Sequence, residues 1–155
     1  MNPPDDGMPR GGMAARAALA IGLVGGDGGR RAAALIALVA ALSRRGLAVS
    51  AVHCPGAGVA IDRPGKDSDR HRAAGAAEVM ITSAKRWALV GDGGGELAPL
   101  LARLATVDVV LINDAPPGVD NTVAVPEDGA IDDAADAAIV ALAGRVLSLL
   151  GREVS

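Results

Sequence analysis

With 155 residues, 50% of them hydrophobic, and a formal net charge of −3, the chain has room for one layered core and is too apolar and glycine-rich to stay unfolded. The acidic balance repels nucleic acid and anionic lipid, and the one local basic stretch, Arg63 to Arg72, is interleaved with Asp67 and Asp69 and lacks stacking aromatics, so no nucleic-acid partner is expected. One Trp, no Tyr and no Phe leave a core of many small aliphatic contacts, and the single Cys54 rules out an internal disulfide and fits a reducing compartment.

Residues 1 to 15, rich in Pro, Gly and Met without periodicity, are expected to form a flexible tail, and 16 to 155 a single α/β domain. The apolar run Ala17 to Val24 behind Arg10 and Arg16 faintly resembles a secretory leader, but it is short for one and follows the acidic Asp5 and Asp6. It reads instead as a buried first strand over Leu19 to Val24. No apolar run is long enough to cross a bilayer, which predicts a cytoplasmic protein without a membrane partner.

A glycine-rich turn follows that strand, and then a helix with Leu35, Leu38, Val39 and Leu42 on one stripe, Arg44 and Arg45 in its last turn, and Gly46 as a left-handed stop. Leu47 to Val52 is the next strand and completes a βαβ unit. A loop from His53 to Lys66 leads to a short polar helix near Ser68 to Ala74, capped by Asp67 or Ser68. Val79 to Thr82 and Arg86 to Val90 are close enough to pair as a hairpin.

A second glycine cluster, Gly91 to Gly95, precedes a helix marked by Leu97, Leu100, Leu101 and Leu104, with Pro99 in its first turn where a missing donor is harmless. Val107 to Ile112 is a strand as apolar as the first, and Val123 to Val125 a short one ended by Pro126. A last helix from about Asp133 to Leu150 turns Ile139, Leu142, Val146 and Leu149 inward. The alternation predicts a mostly parallel α/β sheet with helices on both faces.

Ligands of such sheets bind beyond the carboxyl ends of the strands. Four loops reach that edge here: Gly25 to Arg31, His53 to Lys66, Gly91 to Gly95 and Asn113 to Asp120. A phosphate loop needs glycines so that N–H groups can point inward, a lysine to reach the terminal phosphates and a hydroxyl residue to hold magnesium. Gly25-Gly26-Asp27-Gly28-Gly29-Arg30-Arg31-Ala32 keeps the glycines, puts Arg31 where the lysine belongs and Ala32 where the hydroxyl belongs, and adds the negative charge of Asp27. Gly25, Gly28, Gly29, Arg30 and Arg31 are the candidate phosphate-binding residues, and two readings stand: a weakened phosphate site, or a strand-to-helix turn that binds nothing.

The run Asp62-Arg63-Pro64-Gly65-Lys66-Asp67-Ser68, followed by Arg72-Ala73-Ala74-Gly75-Ala76 and by Ser83 and Arg86-Trp87-Ala88-Leu89, resembles the MobB family over about residues 18 to 115. The family's Asp-Lys-Pro-Gly-Lys-Asp-Ser is matched at every position from 62 to 68 except Arg63. The resemblance implies a P-loop NTPase-like three-layer sandwich and an adaptor in the making or delivery of the molybdopterin guanine dinucleotide cofactor. It further implies GTP binding, a homodimer, and association with a molybdenum-cofactor guanylyltransferase or a molybdoenzyme maturation protein. A molybdopterin-type ligand is a further candidate.

Carried over, Gly25, Gly28 and Arg31 are phosphate-loop positions, Asp62, Lys66, Asp67 and Ser68 form a second loop at the nucleotide edge, and Asn113 is the acidic position ending a Walker B-like strand. The departures weigh against catalysis. The family's Lys and Thr are Arg31 and Ala32, its Lys-His-Thr-His-His is His53-Cys54-Pro55-Gly56-Ala57, its Glu-Gly is Asn113-Asp114, and the segment after Asn113 is shorter. Each loss removes a charge or ligand that metal-assisted phosphoryl transfer uses. The expected protein is therefore a non-catalytic adaptor with a weakened or lost GTP site and a poor hold on magnesium. The rivals are a pseudo-NTPase subunit of another complex that binds no nucleotide and, last, an active GTPase. On the leading reading, the 62–68 loop is the sensitive surface and Arg31 the tolerant one.

Other signals have plainer readings. Cys54 has no triad partner at a recognisable spacing, and His53 and His71 are too few for a metal site. Asp132, Asp133 and Asp136 suit the start of a helix. Trp87 is expected to pack against the sheet edge, although an isolated ring can also stack on a base or pterin.

Overall fold

The computed structural model describes residues 18–55, 59–92, 96–104 and 106–152. The expected tail over 1–15, the loop residues Gly56 and Ala57, and Gly93 to Gly95 of the second glycine cluster lie outside the described residues. Where the sequence reads as one domain from 16 to 155, the described chain forms two compact units, one from residues up to Cys54 joined by those from 106 on, the other from Pro55–Leu104.

The first unit contains β1 (Leu19–Val24), α1 (Gly28–Arg44), β2 (Val49–His53), β5 (Val109–Asn113), β6 (Thr122–Ala124) and α4 (Ala137–Leu149). Its strands are all parallel in the order β2-β5-β1-β6, so β5 enters between the two strands of the βαβ unit and pairs Val109 with both Leu19 and Val49. This is the mostly parallel α/β sheet expected from the alternation of elements. β5 is buried along its whole length, which is why it reads as an uninterrupted apolar run. Parallel pairing also brings the C-terminal ends of β1, β2, β5 and β6 to one edge.

α1 and α4 pack against each other and against Ile21, Leu23, Val109, Leu111 and Val123 of the sheet. The buried stripe of α1 is Ala34, Ala37, Leu38, Ala41 and Leu42, while Leu35 and Val39, expected at its centre, are only partly buried at its margin. Alanine explains the rotation, because three small residues let the helix backbone approach the sheet and leave the larger side chains to wedge in from the flank. Gly46, at φ +79°, ends the helix, with Leu47 N–H bonding Leu42 O and Gly46 N–H bonding Ser43 O as in a Schellman motif.

α4 begins at Ala137, four residues after the expected start, because the acidic residues before it bond one another's backbone instead. Asp133 Oδ1 accepts from Ala135 N–H and Asp136 Oδ2 from Asp133 N–H, a local alternative that Asp favours over helix. Ile139, Leu142 and Val146 face the core as expected, but Leu149 is exposed and lines an open cleft with Val24, Thr122 and Arg145 beside β6, an edge strand.

The second unit holds α2 (Asp67–Ala73), the antiparallel pair β3 (Glu78–Thr82) and β4 (Trp87–Gly91), and α3 (Leu97–Leu101). The hairpin matches expectation, but Trp87 is 67% exposed rather than packed on a sheet edge. Alternation puts Thr82, Met80, Trp87 and Leu89 on the hairpin face opposite to Val79 and Val90, and Met80, Trp87 and Leu89 are all exposed there. α2 is capped by Lys66 through its backbone, without a side-chain cap bond, so neither Asp67 nor Ser68 is the cap. Among the described residues no helix is long and apolar enough to cross a membrane.

Candidate phosphate-loop site

β1 delivers the chain to Val24 at the C-terminal edge of the sheet, and α1 begins at Gly28. The reversal between them is made by Gly25 and Gly26, at φ +73° and +57°, a left-handed pair in which any other residue would be strained. Gly25 is doubly required, since a Cβ there would lie 2.9 Å from Val125 O. Asp27 then caps α1, its Oδ1 accepting from Arg30 N–H at 2.8 Å. Counting the phosphate-loop pattern from Gly25 puts its second glycine on Arg30, its lysine on Arg31 and its hydroxyl on Ala32. Gly28 and Gly29, two of the candidate phosphate-binding residues, lie in the first turn of the helix.

The two arginines turn in different directions. Arg31 folds back over the loop, with Nη1 donating to Gly25 O at 3.1 Å and Gly26 O at 2.7 Å, while Nε and Nη2 both donate to Asp114 Oδ1, at 3.2 and 2.7 Å. Arg30 reaches the segment after β6, donating from Nε to Pro126 O and from Nη2 to Gly129 O, each at 3.0 Å. From that segment Glu127 returns a carboxylate to the loop, Oε1 accepting from Gly26 N–H at 3.0 Å. Arg31, a candidate phosphate-binding residue read from sequence as tolerant of mutation, makes four hydrogen bonds within the first unit.

At the end of β5, Asn113 is 5% exposed, with Nδ2 3.3 Å from His53 Nδ1 and Oδ1 buried without a hydrogen-bond partner among the described residues. An amide supplies no negative charge for a metal. The acidic group sits one residue further on: Asp114 takes φ +52°, pairs with Arg31, and lies 3.6 Å from His53 through Oδ2. Where the resembled family has Glu-Gly, this chain has Asn113-Asp114, and Asp114 keeps a left-handed backbone that glycine adopts most easily. The sequence reading missed Asp114 and Glu127; the displaced acid beside Asn113 was a visible signal for the first, and nothing local marks the second.

Cys54 follows β2 and donates its N–H to Asn113 O. Burial, and then the Asp114 carboxylate, push its thiol pKa up. A raised pKa lowers the thiolate fraction near neutral pH. Among the described residues no group of three or more His, Cys, Asp or Glu side chains could hold a metal ion.

In the second unit the 62–68 run divides into an inner and an outer half. Asp62 Oδ1 accepts from Arg63 N–H at 2.8 Å and from Ser68 Oγ at 3.1 Å, and Asp62 Oδ2 pairs with Arg72 at 3.4 Å. Arg72 also bonds Asp69 and Asp92, while Asp69 accepts from Gly65 N–H, whose φ of +79° makes the turn. Asp62, Ser68, Asp69 and Arg72 therefore brace the start of α2. Lys66 and Asp67 point outward, Asp67 pairing only loosely with Arg70 at 3.9 Å. The structure thus gathers Gly25, Arg30 and Arg31 with Asp114 and Glu127 in one unit, and Asp62 and Ser68 with Arg72 in the other.

Among solved structures the chain is similar to MobB of Bacillus subtilis, with a TM-score of 0.53 and 22% identity over 70% of this chain and 68% of that one, a likeness of fold. No curated protein matches it in sequence. The family model for molybdopterin guanine dinucleotide synthesis protein B matches residues 20–114. Since that match takes in more than half of the chain, from β1 through the whole of the second unit to the end of β5, the chain belongs to the MobB family.

Proposed function

We propose that the chain acts in the formation or delivery of molybdopterin guanine dinucleotide as a non-catalytic adaptor with a weakened or lost GTP site, in the cytoplasm. Membership of the MobB family supports the pathway. The observation that carries the non-catalytic character is the direct Arg31–Asp114 pair at 2.7 Å, with Ala32 beside it. The Asp114 carboxylate at the end of β5 is spent on a guanidinium, and the residue after Arg31 has no hydroxyl, so neither of two usual protein anchors for magnesium is free.

The partner on this reading is a molybdenum-cofactor guanylyltransferase or a molybdoenzyme maturation protein, met by a homodimer of the chain. The outer half of the 62–68 run supports a recognition role, because Lys66 and Asp67 present opposite charges that no strong internal bond consumes. A molybdopterin-type ligand and weakly bound GTP are the small molecules that belong to this role. Mixing the purified chain with a molybdopterin guanylyltransferase on a sizing column tests it. A joint peak that K66A/D67A weakens at least tenfold is expected, and separate elution of the two proteins at tens of micromolar would sink the adaptor reading.

A further inference from the structure

We infer that the phosphate loop is occupied by the chain's own groups: a strap after β6 places the Glu127 carboxylate where the loop would meet an anion, and Arg31 takes the place of a cation. This rests on reading residues 25–32 as the remnant of a phosphate loop. The strap lies beyond the 20–114 family match and is a feature of this chain's C-terminal part.

Three observations converge on it. The strap is anchored at both ends by buried residues, Val125 on one side and Ile131 and Ala134 on the other. Between them Arg30 holds the Pro126 and Gly129 carbonyls, so the strap is clamped on either side of Glu127 by a residue standing where the loop pattern calls for glycine. Glu127 then accepts from the Gly26 N–H, a charge-assisted bond of the kind that a phosphate oxygen makes at such a turn.

The cationic side of the loop is closed in the same way. In a working site a lysine and a metal ion share the phosphates and an acid fixes the metal. Here one guanidinium spans the Gly25 and Gly26 carbonyls and Asp114. A nucleoside triphosphate entering this loop would have to displace one carboxylate and would meet a second, Asp27, already bonded to the Arg30 N–H. The residues present do not fit a magnesium-bound triphosphate.

Glu127 is exposed, so replacing it leaves the core untouched. Amide hydrogen exchange at Gly26, measured on the full chain, should accelerate at least tenfold in E127A and in R30A, which releases the strap. Calorimetry with magnesium GTP, and with inorganic triphosphate as a probe lacking the base, should show no saturable binding by the unaltered chain up to about 1 mM and an affinity gained at least tenfold in E127Q. Unchanged Gly26 exchange, equal affinities before and after the substitution, or tight binding by the unaltered chain would each overturn the proposal. None of these results bears on capture of a guanylyltransferase, so the adaptor reading stands or falls separately.

Discussion

The loop at Gly25–Arg31 and the run at Asp62–Arg72 both set glycine beside charge, yet they spend that charge differently. In the loop, Asp27, Arg30 and Arg31 are all bonded within the chain. In the 62–72 run, Asp62, Ser68, Asp69 and Arg72 are turned inward as a brace while Lys66 and Asp67 stay in solvent. A motif whose polar groups are partnered internally is architecture; one that leaves opposite charges outside, on a braced helix start, keeps something to offer a partner. On the proposed reading, the second region is the one that meets a partner and the first is not.

Five substitutions break or sharpen this contrast. The largest effect is expected from R72A, which leaves Asp62, Asp69 and Asp92 without their shared cation and should cost about 2–3 kcal/mol in denaturant unfolding. A loss below about 0.5 kcal/mol would mean that the brace is ornamental. R31A comes next, at about 1–2 kcal/mol, since it strips two carbonyls of a donor and Asp114 of its ion pair. That result would reverse the expectation from sequence that Arg31 tolerates change.

A chemical effect follows. Burial raises the Cys54 pKa most and Asp114 adds to it, so D114N should lower the pKa, increase the thiolate fraction at pH 8 and speed alkylation, whereas the unaltered thiol should react more slowly than a free cysteine. No change in rate would assign the shift to burial alone. The smallest effect is expected from K66A and D67A, whose stabilities should stay within about 0.5 kcal/mol of the parent in the same unfolding assay. A larger loss would make the outer half of the run structural too.

Much of the architecture was legible because it is written in short-range patterns. Leu19–Val24, the hairpin and β5 follow from apolar runs between turn signals, and Gly46 from its place after Arg45. What escaped was decided by distant or competing partners. Arg31 meets Asp114 across 83 positions and Gly26 meets Glu127 across 101, separations at which no spacing rule operates. Asp133 and Asp136 delayed α4 because carboxylate-to-backbone bonds compete with the first helical turn. Trp87 escaped because burial of a strand residue depends on what covers its face, and alternation says only which face it is on.

The alanines of α1 carry one last consequence. Ala34, Ala37 and Ala41 act as a thin gasket between helix and sheet, and adding methyl groups there would lift the helix rather than fill a void. The lifted end includes Arg30 and Arg31, whose side chains hold the strap after β6 and the loop. Core volume and loop closure are therefore one inherited trait in this chain, and a change selected for packing would reset the loop without touching any residue in it.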